Sequence, residues 1–181
     1  MSRRVQVVLL CEDSQQAAFA RRFLKRDGWN LRGLRVVKAP QGRGAGEQFV
    51  REQFPREVAE QRRRHVAQTL VVLIDGDVVG VEGRKRSLRD VCDAHDVVPP
   101  TPAESVAVFV PTRNIETWFA YLDGQEVDEA TNYPRLVRER ACHRHVDVLA
   151  KMCRQRQLRQ PAPPSLVAAC REYTRLSAVR P

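Results

Sequence analysis

The chain has 181 residues, 43% of them hydrophobic and 29% charged, the profile of an ordinary globular protein with enough chain for one well-filled core. No stretch approaches the roughly 20 consecutive apolar residues of a membrane span. The apolar start, Val5 to Cys11, is too short and too soon followed by acids to be a secretory leader, so a cytoplasmic protein without membrane contact is expected. The formal charge is +9, with 19 Lys+Arg against 11 Asp+Glu in residues 1–90 and 12 against 11 in residues 91–181. That excess in the first half makes nucleic acid the expected partner there, although 27 of the 31 basic residues are Arg, a bias that coding composition also produces.

In chain order, residues 5–11 read as a strand. Residues 14–26 read as an amphipathic helix with Ala17, Ala18, Phe19, Phe23 and Leu24 inward and Arg21, Arg22, Lys25 and Arg26 outward. Gly28 is a plausible stop. Leu34 to Ala39 form a second strand, then a Gly-rich loop runs from Pro40 to Gly46 and helical character continues to about His65, interrupted or restarted at Pro55. Leu70 to Ile74, the most apolar run, is the third strand, and a helix follows at about Ser87 to His95 with Ser87 as its cap. After the Pro-rich connector 97–102, Ser105 to Val110 is a fourth strand and Asn114 caps a short helix with Ile115, Trp118, Phe119 and Leu122. Helices near 134–157 and 164–177 complete the chain. The alternation predicts an α/β fold: a mainly parallel four-stranded sheet flanked by helices over residues 1–125, with a C-terminal helical extension, 126–181, packed on the same domain.

Two acidic pairs stand at strand ends. Asp75-Gly76-Asp77 closes the third strand and Glu12-Asp13 the first, the edge where open α/β sheets bind ligands. Alternate residues leaving a strand can face one ion, and hard carboxylate oxygens suit Mg²⁺ or Mn²⁺. If the first and third strands are neighbours, Glu12, Asp75 and Asp77 share one rim, a geometry suited to metal-assisted phosphoryl transfer, with Glu12 as a further ligand or proton-transfer group. Either pair alone also fits a plain turn or a helix start.

A Glu after the first strand and an Asp-x-Asp after the third resembles the Toprim domain of topoisomerases, primases and OLD-type nucleases, over roughly residues 5–111. By that resemblance Glu12 is the general acid/base or a metal ligand, and Asp75 and Asp77 bind Mg²⁺. Asp13 stands where those nucleases often carry Gly, and Gln16 stands near their second acid. Arg113-Asn114-Ile115-Glu116-Thr117-Trp118 looks like the Glu-x-Trp element of small Toprim-like proteins associated with mobile elements and phage defence. It adds Glu116 as an accessory ligand and Arg113 as a phosphate contact. The resemblance implies a metal-dependent nuclease, or a non-catalytic relative that binds nucleic acid or a partner ATPase.

Three further features bear on phosphate. Gly42-Arg43-Gly44-Ala45-Gly46 precedes a helix but lacks the Lys-Ser/Thr of a P-loop, so it reads as a loop from which Arg43 could touch a nucleic-acid backbone, with nucleotide binding as the rival. Arg84, Lys85 and Arg86, a few residues past Asp77, are placed to meet a phosphate, and Arg62-Arg63-Arg64 reads as a solvated face. Five unpaired-looking cysteines argue for reduced thiols, and Cys142-His143-Arg144-His145 lacks the second half of a zinc site.

Overall fold

The computed structural model describes residues 6–42, 45–64 and 67–179; Val5 and His65, given to the first strand and second helix above, lie outside them. Four strands, β1 (Gln6–Cys11), β2 (Arg35–Lys38), β3 (Gln68–Leu73) and β4 (Val106–Phe109), form one sheet in the order β2-β1-β3-β4. All neighbours are parallel, with Cys11 opposite Lys38 and Leu73, and Leu73 opposite Phe109. The fold is the α/β class read from the alternation of elements.

Each helix covers a face because strand residues alternate. Val7, Leu9, Cys11, Val71, Leu73 and Ala107 point to one side, where α1 (Ser14–Arg26), α4 (Glu116–Leu122), α5 (His143–Gln155) and α6 (Pro164–Ala178) bury Phe19, Trp118, Leu149 and Leu166 against them. Val8, Leu10, Leu70, Val72 and Ile74 point to the other, under Phe54 and Val58 of α2 (Gly46–Arg63) and Leu88 of α3 (Gly80–Ala94). With both faces covered, β1 and β3 read as unbroken apolar runs. The helices after residue 125 contribute to the same apolar cluster as the sheet.

Four expectations need correction. The second helix runs unbroken through Pro55, because Val50, Phe54 and Val58 are held on the sheet to either side of it and that packing outweighs one lost backbone bond. The third helix begins at Gly80, not near Ser87. Gly80 takes φ 64° and its N–H bonds Gly76 O at 3.0 Å, so the turn after β3 winds directly into helix and Ser87 lies mid-helix. Asn114 does not cap α4: the capping position is Ile115, and Asn114 Oδ1 is buried without a partner. The helix expected from 134 starts only with a 3₁₀ turn at Glu139–Cys142. Its would-be first turns are irregular, with Leu136 N bonded to Gln15 of α1 and Arg135 paired with the α1 cap Asp13.

Candidate active site

From β1 the chain moves outward to β2, then returns across the sheet to β3. The strand order therefore reverses between β1 and β3, and the crevice at their carboxyl ends is where such sheets take ligands. Glu12 is the first residue after β1 and Asp75 the second after β3. Glu12 Oε1 accepts the Asp75 backbone N–H at 2.5 Å. Gln16 closes the ring: its Oε1 accepts the Glu12 N–H at 3.0 Å and its Nε2 donates to Asp75 Oδ1 at 2.9 Å. Asp13 caps α1 by accepting the Gln16 N–H at 2.8 Å, which fixes the helix whose first turn supplies Gln15 and Gln16.

Asp77 and Arg113 face each other across an isolated antiparallel bridge, Asp77 N to Arg113 O at 3.2 Å. Both are left-handed, with φ 46° and 62°, a conformation that costs non-glycine residues free energy and concentrates at functional sites. Gly76 between the acids is closely packed: a Cβ would lie 3.1 Å from Pro111 O and from Gly80 C, so the backbone around it would have to give by a few tenths of an ångström. Glu116, at the start of α4, is 5% exposed and accepts Gln15 Nε2 at 2.7 Å.

Of the basic residues set beside Asp77 above, Arg84 is turned inward and 5% exposed. Its Nε donates to Asp75 O at 2.8 Å, its Nη2 to Asp77 Oδ2 at 3.0 Å, and its Nη1 to Glu47. It is a fixed counter-charge of the acidic rim rather than a free phosphate contact. Lys85 is half-buried and Arg86 exposed. Arg113 Nε donates to Asn132 Oδ1 at 2.5 Å. Arg43 and Gly44 lie outside the described residues. The other end of that loop is tight against the acids, since a Cβ on Gly46 would stand 2.7 Å from Glu12 Cβ.

The crowding shows in the ionisation of the two central acids. Burial, then the charges of Glu12, Glu116, Asp13 and Asp77, hold the Asp75 carboxyl well above the usual range. Glu12 is pushed up to about 7, first by burial and then by Asp77 and Asp13, against the opposing Asp75 N–H and Arg84. A site in which carboxylates resist ionising is one that a divalent cation would relieve, and its donors are the oxygens that Mg²⁺ and Mn²⁺ select. Among the described residues no three His, Cys, Asp or Glu side chains form a ready-made cage. Glu12, Asp75, Asp77 and Glu116 instead each accept a bond from within the protein.

Four members of this site were not picked out as such from the sequence. Gln15 and Gln16 carried a signal, a polar pair on the otherwise apolar inward face of an amphipathic helix. Glu47 had only its place after the Gly-rich loop, and Arg135, which reaches Asp13 at 2.5 Å and Glu116 at 3.4 Å, had none. The five cysteines are free thiols, three buried and two half-buried. No helix among the described residues is long and apolar enough to cross a membrane. Comparison with known protein families, characterised proteins and solved structures gives no match.

Proposed function

We propose that this chain is a Toprim-like, Mg²⁺- or Mn²⁺-dependent nuclease, or a related phosphodiester-cleaving protein, acting on nucleic acid in the cytoplasm. The observation that carries the reading is the meeting of Glu12 and Asp75 at the strand-order reversal, with Asp77 and Glu116 close enough to perturb them. Asp75, Asp77 and Glu116 would hold the cation, and Glu12 would serve as ligand and proton-transfer group. A bound divalent ion supplies activation of water and stabilisation of charge on the leaving oxygen. The protein's own part is positioning and proton handling. Gln16 orients Asp75, Gln15 orients Glu116, and Arg84 keeps Asp77 directed at the rim. Glu12, poised near neutral pH, is suited to take a proton from the attacking water and return it to the departing alkoxide oxygen.

The test is Asp75→Ala with Asp77→Ala, assayed with labelled single- and double-stranded DNA and RNA in Mn²⁺. The double variant is expected to fold and to lose all metal-dependent cleavage; activity equal to wild type would refute the assignment.

A second reading is favoured by the saturation of these carboxylates with internal donors: a non-catalytic relative that keeps the fold and binds nucleic acid or a partner ATPase. Calorimetry with Mn²⁺ separates the two. Uptake by wild type and not by the double variant supports the enzyme, whereas equal heats from both support the accessory protein.

A further inference from the structure

Two arginines meet the acidic rim from opposite sides, and they are held very differently. Arg84 is buried and committed to three partners, Asp75 and Asp77 in the turn after β3 and Glu47 on α2. Arg135 comes from residues 125–138, which have no regular secondary structure and meet the start of α1 at Arg135 and Leu136. That stretch is fastened by backbone and neighbouring groups: Leu136 N donates to Gln15 Oε1 at 3.3 Å, Arg113 to Asn132 Oδ1, and Ser165 N to Glu129 Oε1 at 2.9 Å. The Arg135 side chain itself is 64% exposed while reaching the buried Glu116. If it left, Glu116 would keep its bond from Gln15, and Asp13 its role as the α1 cap.

We propose that Arg135 is an exchangeable cation of this site: it neutralises Glu116 and Asp13 while no divalent ion is bound, and it clamps a phosphate of the nucleic-acid substrate once one is. The inference rests on the nuclease reading above. Its logic is electrostatic. A divalent ion held by Glu116 and Asp75 would cancel the negative potential that holds the guanidinium, and a phosphodiester would then offer the same planar fork a bidentate acceptor. Nothing covalent changes; one ion pair is traded for another. The Leu136, Asn132 and Glu129 bonds keep the fork beside the crevice during the exchange.

The exchange predicts effects of opposite sign from one substitution. In Arg135→Ala, Mn²⁺ should bind about two- to fivefold more tightly, the range expected on removing a partly exposed competing cation. A fluorescent oligonucleotide should bind several-fold more weakly in Mn²⁺, with the salt slope reduced by about one. Arg135→Lys keeps the charge without the fork, so it should leave the Mn²⁺ isotherm unchanged and still weaken the oligonucleotide. It also carries the test if the alanine variant folds poorly. Titration calorimetry and fluorescence anisotropy read the two quantities. Both affinities unchanged, or both lowered together in folded variants, would overturn the exchange while leaving the nuclease reading intact. Wild-type protein that takes up no Mn²⁺ would overturn both.

Discussion

Arg84, Lys85 and Arg86 are one basic triplet in the sequence, and their fates differ because each successive residue of a helix turns by about 100°. With α3 beginning at Gly80, Arg84 falls on the inward face and Arg86 outside. That start could not be read from the sequence, where Ser87 is the better cap by type; it is set by the left-handed Gly80 and the Gly76 O it bonds. Glu12, Asp75 and Asp77 were legible for the opposite reason, since the end of a buried strand is marked by the end of its apolar run. The consequence for stability is direct. Arg84→Ala removes the cation beside Asp77, leaves Glu47 with only Arg51 and leaves Asp75 O without a donor, so it should cost roughly 2–4 kcal/mol in urea unfolding. Arg86→Ala should change stability by no more than about 0.5 kcal/mol. Equal effects from the two would mean that Arg84 is not the internal counter-charge.

At the scale of the element, the strands were legible and the protection of their edges was not. β4 ends the sheet, and its outer side faces α6 instead of another strand. Glu172 Oε1 accepts the Val108 N–H at 3.4 Å, and Arg175 donates to Val106 O at 2.5 Å and to Pro102 O at 2.6 Å. The two side chains, themselves paired at 2.8 Å, occupy the groups that a neighbouring strand would bond. In sequence this Glu-x-x-Arg looks like any surface pair of a helix; only the packing of α6 over the strand gives it a second task. Edge strands left open recruit other chains. Replacing both Glu172 and Arg175 with Ala should therefore produce concentration-dependent association in sedimentation velocity and lower stability by about 1–3 kcal/mol, the range for stranded polar groups. A double variant as stable and as free of association as wild type would show that the edge needs no such cover.

For the molecule as a whole, a parallel sheet gathers acids that are far apart in sequence, from Glu12 to Glu116, onto one rim, and folding must accept their repulsion. That cost was only partly visible beforehand: the strand-end acids and Glu116 could be listed, but Glu47 joins them through the tertiary packing of α2, where it meets Arg84. It leaves a signature in pH. Burial and the neighbouring carboxylates push Glu12 up to about 7 from an ordinary value of 4.5, and Asp75 is shifted in the same direction. The folded state therefore binds more protons than the unfolded chain between those limits, and stability must fall as pH rises through that window. Metal-free protein should be more stable at pH 5 than at pH 8, Glu12 alone accounting for on the order of 2–3 kcal/mol. Glu12→Gln, which keeps an acceptor for the Asp75 N–H, should flatten much of the slope. Mn²⁺ should restore stability chiefly at pH 8, where the carboxylates it needs are ionised. Thermal unfolding across pH 5 to 8, with and without Mn²⁺, measures all three effects. A metal-free protein whose stability rises steadily from pH 5 to pH 8 would contradict the crowding of Glu12 and Asp75 at the end of β1 and β3.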